Sequence, residues 1–293
     1  MDRIALGSAL ITGTGLGCMY GLVALGYYVT YAASRTVNFA QGVPLMIGAV
    51  LVFALTNQLH WPVWAASLAA VGACAVFGLL VERLAVRPFV RRGSESWLMA
   101  TIAVGLVMEN IVLFTFGRDP RGLRNSLNDV GFDLGGLRIT ALQILIPVAG
   151  LLIAALLSSI VRSTRVGREL RAVALNPAAA QLMGVDPARI IALSYALSGA
   201  LAGIAGVLIA PLYTVSAGMG TMFGIKAFAA AILGGIGGAW SVMLGGLVLG
   251  LAEAVIVAWA GSTYAQLIAF LLVIAVLALR PIGLFGRAVA QKV

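Results

Sequence analysis

Arg162-Ser163-Thr164-Arg165-Val166-Gly167-Arg168-Glu169-Leu170-Arg171, continued by Ala172-Val173-Ala174-Leu175-Asn176-Pro177-Ala178-Ala179-Ala180-Gln181-Leu182-Met183-Gly184-Val185-Asp186-Pro187-Ala188-Arg189, is a polar, basic block set between two apolar runs, 139–161 and 190–213. Crossing a bilayer takes about 20 apolar residues for roughly 30 Å of hydrocarbon, and both runs reach that length. Within the block, Asn176 before Pro177 and Asp186 before Pro187 each put an N-cap residue ahead of a proline suited to the first helical position. The spacing predicts a short helix from Pro177 to about Met183, stopped by Gly184. Its Ala179, Leu182 and Met183 recur at helical spacing, which gives an apolar face to an element lying in water. Either that face lies back on its own protein or something outside the membrane reads it.

Working outward, 61% hydrophobic and only 10% charged residues exclude a soluble domain. Apolar segments fall at about 4–33, 42–56, 63–81, 97–116, 139–161, 190–213, 227–236, 240–260 and 264–279. The expected fold is all-α: a polytopic transmembrane helix bundle of about eight or nine spans, short interrupted helices included, in a single domain covering 1–293. The first run is too long for a signal-peptide core and is read as a retained span.

The net charge of +9 raises the question of nucleic acid, and the position of the basic residues answers it. Arg83, Arg87, Arg91 and Arg92 form one cluster, Arg162, Arg165, Arg168, Arg171 and Arg189 a second, and Arg280, Arg287 and Lys292 a third. The positive-inside rule sends all three to the cytoplasm, provided the short segment 227–236 crosses. The same parity puts the amino terminus outside unless one of the first two segments fails to cross. No basic run is interleaved with aromatics, so no nucleic-acid partner is expected.

Glycines at four-residue spacing, Gly13, Gly17 and Gly21, Gly199 and Gly203, Gly246 and Gly250, predict close helix packing. No phosphate-binding loop occurs: Gly13-Thr14-Gly15-Leu16-Gly17 lacks the third glycine of a dinucleotide fingerprint. Two segments read as interrupted helices, 38–44 and 226–239. Irregular backbone at membrane depth is the strongest sequence pointer to a transport site. Each has a polar or basic residue followed by Phe-Ala, which suggests a diverged internal repeat.

On this reading Asn38, Gln41, Lys226, Gly234 and Gly235 are candidate pathway residues. Glu109 and Glu253 join them, because a carboxylate inside a span needs a partner or a wet cavity; an interhelical hydrogen-bond role is the alternative. Lys226, at the head of its segment, is expected to snorkel to the outer interface. Glu82 and Arg83 are placed at a helix end, in the interface.

The sizeable outer loop, about 117–138, carries Arg118, Arg121 and Arg124, charges suited to docking an acidic soluble partner. Phe132 to Ile139 alternates about Gly135-Gly136, a hairpin signal. No catalytic residue is assigned: the single histidine, His60, stands in a short outer turn beside Trp61 and Pro62 with no triad or ligand partner near it in sequence. Cys18 and Cys74 lie in apolar runs as core thiols, and no metal site is expected.

The blocks Asn38-Phe39-Ala40-Gln41-Gly42, Met46-Ile47-Gly48, Gly184-Val185-Asp186 and Gly224-Ile225-Lys226-Ala227-Phe228-Ala229-Ala230-Ala231-Ile232-Leu233-Gly234-Gly235-Ile236-Gly237, with Gly245 to Gly250 and Glu253-Ala254 after them, make the chain resemble the inner-membrane permease subunits of ABC importers of the branched-chain amino acid type. The resemblance covers nearly the whole chain. It implies a second permease subunit, identical or different, two cytoplasmic ATPase subunits that bind the ATP, and a periplasmic substrate-binding protein, with no cofactor on this chain. It also makes the helix from about Ala178 to Gly184 the element seated in an ATPase groove, so Asn176, Pro177, Ala179, Leu182, Met183, Gly184 and Asp186 become the expected ATPase-coupling residues. Two departures fall in the first interrupted segment: Gln41 stands where many members have His, and Val43-Pro44 replaces the common Glu-Val. Both bear on which solute is carried.

The rival reading is a self-sufficient secondary transporter or channel using Glu109 or Glu253 as a proton site. A capped, amphipathic cytoplasmic helix discriminates the two, since only an ATP-driven permease needs it. A membrane-embedded enzyme is disfavoured by the missing catalytic constellation.

Overall fold

The computed structural model describes residues 3–123, 131–134 and 137–286. Twelve helices are described: α1 (Arg3–Ser34), α2 (Gly42–Asn57), α3 (Val63–Val81), α4 (Arg87–Val90), α5 (Trp97–Phe116), α6 (Ala141–Ser163), α7 (Arg165–Leu175), α8 (Pro177–Leu182), α9 (Pro187–Ile209), α10 (Met219–Gly234), α11 (Ala239–Ala260) and α12 (Ser262–Leu279). A short hairpin joins them, β1 (Gly131–Leu134) antiparallel to β2 (Leu137–Thr140) with Leu134 opposite Leu137, as the alternation about Gly135-Gly136 predicts. Among the described residues eight helices are long and apolar enough to cross a membrane, and the sixteen-residue α10 is a shorter apolar one. The fold is the expected all-α, polytopic one.

By internal contacts the chain divides into two units: Met1–Tyr28, Ser126–Ser158 and Lys226–Val293 make the first, Val29–Asn125 and Ser159–Ile225 the second. In the first, α1 and α11 cross antiparallel on their glycines. A Cβ added at Gly17 would meet Leu247 Cα at 2.7 Å, and one at Gly250 would meet Gly17 N at 2.2 Å. The small-residue spacing therefore lets two backbones touch. At the far end of α10 the turn is tight. Gly235 takes φ +76°, and Leu284 N–H donates to Leu233 O at 2.8 Å, so the segment after α12 folds onto the α10–α11 turn. The end of the described chain and that turn therefore share one side, as two crossings between them require.

In the second unit α9 is the hub, packed on α2 and α3. α3 crosses it antiparallel through Gly78, Gly199 and Cys74, while α2 runs beside it in the same direction through Gly48 and Gly203. Gln41, just ahead of α2, meets Ser198, the twelfth residue of α9. At 1.5 Å per residue α2 therefore starts roughly 16 Å above the base of α9, inside the membrane's depth. α10 starts at depth too, since Gly220 packs on Gly42 and Met46. A Cβ at Gly42 would fall 1.9 Å from Gly220 O. Gly42→Val is thus expected to force this crossing open, at more than the ~1–3 kcal/mol typical of overpacking. A large drop in the yield of monodisperse, membrane-extracted protein checks it, and unchanged yield would contradict the crossing.

α1 sets where the amino terminus lies relative to the basic loop. Ala33 in its last turn packs with Leu170, Val173, Ala180 and Ile190 of the basic loop region, so α1 ends on the side of that loop and begins on the opposite one. After α5 and α9, Arg121 and Val215 exchange backbone hydrogen bonds of 2.9 and 2.8 Å.

Three expectations are corrected. The helix through Val81 does not stop at Glu82 and Arg83: a π-helical turn, Glu82–Val86, carries it into α4, and Glu82 is buried. The second interrupted segment is displaced, because α10 runs unbroken from Met219 through Lys226 to Gly234, and the irregular backbone lies on either side of it. Asn38-Phe39-Ala40 precedes its helix whereas Lys226-Ala227-Phe228 lies inside one, so the two do not correspond as the sequence suggests. Finally, the loop 162–189 holds two helices, not one.

Candidate functional site

The basic loop is built from local signals. Thr164 caps α7, its hydroxyl accepting from Gly167 N at 3.1 Å, and Leu170 and Val173 turn inward. Asn176 caps α8 by accepting from Ala179 N at 3.0 Å, and Asp186 caps α9 by accepting from Ala188 N at 3.0 Å and Arg189 N at 3.4 Å. Gly184 takes φ +84°, the left-handed stop the sequence predicts.

The face anchoring α8 is Ala180, in the cluster with Ala33, Leu170, Val173 and Ile190. The predicted apolar face points the other way: Ala179 is exposed, Leu182 is 89% exposed and Met183 84%. The helix does not lie on its own protein through those residues. With Leu175 also exposed, three large apolar side chains stand free on the basic side of this unit.

The second group sits at the break before α2. Asn38 caps the 3₁₀ turn Phe39–Gln41 by accepting from Ala40 N at 3.1 Å. Gln41 Nε2 donates to Ser198 O at 3.1 Å, and Gln41 Oε1 accepts from Ser198 Oγ at 2.7 Å and Asn38 Nδ2 at 3.3 Å. Irregular backbone at membrane depth is tolerated only where such partners replace the missing helix bonds. Ahead of it, Thr36 Oγ1 bonds Tyr195 OH at 2.8 Å and Ser34 Oγ at 2.6 Å.

Glu109, half-buried on α5, accepts from the Thr221 hydroxyl in the first turn of α10. Its neighbour Asn110 is exposed, with its amide donating to Leu106 O at 2.8 Å. In the first unit, Lys226 is 5% exposed and Glu253 8%, and they pair at 2.5 Å. Tyr20 OH donates to the other Glu253 oxygen at 2.8 Å, and its ring lies 5.8 Å from the lysine Nζ. Lys226 is therefore not an interfacial lysine: a carboxylate 27 positions away lets it stay inside.

Gly234 and Gly235 sit where backbone meets backbone. A Cβ at Gly234 would reach Ser241 O at 2.3 Å and one at Gly235 would reach Ile282 O at 2.5 Å. Of the outer arginines, Arg118 is exposed and Arg121 stacks on the Phe116 ring at 4.6 Å; Arg124 lies outside the described residues. Cys18 and Cys74 are buried free thiols. Among the described residues no cluster of metal-ligating side chains occurs.

Sequence reasoning did not single out Tyr20, Tyr195, Ser198 or Thr221. The available signal was a hydroxyl inside an apolar span, and Ser194, Tyr195 and Ser198 crowd three into five residues.

A family model described as the permease component of branched-chain amino acid transport systems matches residues 9–277. The chain is 34% identical to the high-affinity branched-chain amino acid transport system permease protein LivH of Escherichia coli K12, over 97% of this chain and 96% of that protein. It is 35% identical to the corresponding permease BraD of Pseudomonas aeruginosa, over 97% of each. A more distant relative is the galactose/methyl galactoside import permease MglC of Haemophilus influenzae, 24% identical over 85% of this chain and 75% of that protein.

Proposed function

This chain belongs to the permease family of branched-chain amino acid transport systems, and from that premise we propose that it is the membrane-spanning subunit of an ATP-driven importer for branched-chain amino acids or related small polar solutes. It is a multi-pass protein of the inner membrane and a transport subunit rather than an enzyme. In the proposed assembly it pairs with a second permease subunit, two cytoplasmic ATPase subunits bind and hydrolyse the ATP, and a periplasmic binding protein delivers the solute.

The observation carrying this reading is the exposed apolar face of α8, with Leu182 and Met183 free on a helix capped at Asn176 and stopped at Gly184. Such a face suits a partner outside the membrane, which we take to be the groove of an ATPase subunit. The solute is proposed to pass the break at Asn38 and Gln41, with Glu109 on its route. Arg118 is the exposed charge proposed to meet the binding protein.

The test is reconstitution with its cognate ATPases and binding protein, measuring uptake of leucine, isoleucine and valine into vesicles. Uptake is expected to require ATP and both kinds of partner. Uptake by the permease alone that collapses when the proton gradient is dissipated would instead establish a secondary transporter.

A further inference from the structure

The π-helical turn Glu82–Val86 has a mechanical consequence. Residues five apart lie about 140° apart around an α-helix, at 3.6 residues per turn. Closing the hydrogen bond on the fifth residue instead brings Glu82 and Arg87 to one face. There the guanidinium grips the carboxylate with two bonds, Nε to Oε1 at 2.9 Å and Nη2 to Oε2 at 3.0 Å. Glu82 is 2% exposed, so this fork supplies the charge partner its burial demands.

The same Nη2 donates to Ala188 O at 3.3 Å. Ala188 is the second residue of α9, and its N–H is already held by Asp186. The junction that follows α8 is therefore pinned on both sides, by its own cap and by Arg87. On the other flank of the π turn, Val81, Ala85 and Val86 pack on the buried Tyr195, with Ile191 alongside. The Tyr195 hydroxyl holds Thr36, and Thr36 lies in the linker that leads to Asn38 and Gln41.

We propose that Glu82 and Arg87 form a positioning clamp that passes displacement of the α8–α9 junction through Tyr195 to the break before α2. Contact by ATPase subunits at α8 would then be felt where Gln41 holds Ser198. This rests on the importer reading and gives Glu82, Arg87 and Tyr195 a positioning role. A contiguous packed path is a physical route for coupling, and only coupling measurements establish one.

The experiment uses the complete importer in vesicles and reads three quantities: assembled complex recovered, ATP hydrolysed, and solute imported per ATP. Glu82→Gln removes the charge, Arg87→Lys keeps the charge but loses the fork, and Tyr195→Phe removes only the hydroxyl that bonds Thr36. Each is expected to leave ATP hydrolysis within about twofold per assembled complex while solute imported per ATP falls at least fivefold. If solute per ATP is unchanged in Arg87→Lys and Tyr195→Phe, or if uptake falls only in proportion to complex recovered, the residues are structural and the clamp proposal is overturned. Should the unmodified complex fail to couple uptake to ATP, the importer reading fails instead, so the two failures are separable.

Discussion

Glu253→Ala is expected to leave the Lys226 ammonium buried beside Tyr20 with no carboxylate, and to cost the protein on the order of 3–5 kcal/mol, the typical loss when one partner of a buried pair is removed. The substitution also takes away the acceptor of the Tyr20 hydroxyl. Glu253→Gln is expected to be milder, because an amide oxygen still accepts from Tyr20 while the charge is lost. The double variant Lys226→Met with Glu253→Leu removes both charges and keeps the volume, so apart from the lost Tyr20–Glu253 bond it is expected to recover most of the stability, as replacing a buried pair by packed apolar groups generally does. Thermal melting of the purified permease in detergent checks the ordering: double variant near the unmodified protein, glutamine below, alanine lowest. An alanine variant that melts with the unmodified protein would mean that water reaches the lysine and that the pair is not a buried one.

Leu182→Glu is the second large effect expected, and under the importer proposal it acts on a partner rather than on the fold. Leu182 and Met183 are nearly fully exposed, so a charge there costs this chain almost nothing. Each side chain gains about 1.5–3 kcal/mol when buried in a groove, which caps their joint contribution near 3–6 kcal/mol and makes one carboxylate enough to offset it. Gly184→Val reaches the same interface through the backbone: at φ +84° a β-branched residue costs on the order of 1–2 kcal/mol and re-aims the chain after α8. Both variants are expected to insert normally, while solute-stimulated ATP hydrolysis falls at least tenfold or the ATPase subunits are lost on purification. Retained stimulation in both would remove α8 from the coupling surface.

Much of this was legible in the chain because membrane spans write themselves in runs of apolar residues. The apolar run 97–116 and the helix Trp97–Phe116 coincide, and the caps at Asn176 and Asp186 need only neighbours in sequence. The signals that failed were those that depend on distant residues. The start of α10 is rich in glycine, a poor helix former, and reads as a loop; Gly220 and Gly224 are helical because Gly42 packs against them. Lys226 reads as interfacial until Glu253 is seen beside it, and Glu82 reads as a helix end until Arg87 and Ala188 are placed. In α7 the arginines mask Leu170 and Val173, whose spacing of three does mark a helix face.

The break before α2 also sets a schedule for synthesis. Gln41 and its partner Ser198 are 157 positions apart, so at 5–20 residues per second about 8–30 s pass between their emergence from the ribosome. Thr36 waits about as long for Tyr195, 159 positions away, although Tyr195 itself emerges three residues before Ser198. During that interval α1 and α2 are already made, yet Gln41 Nε2 lacks its native acceptor, Ser198 O, and lipid offers none. The docking of α9 therefore completes this break, and it does so late in synthesis, after the first two helices are made.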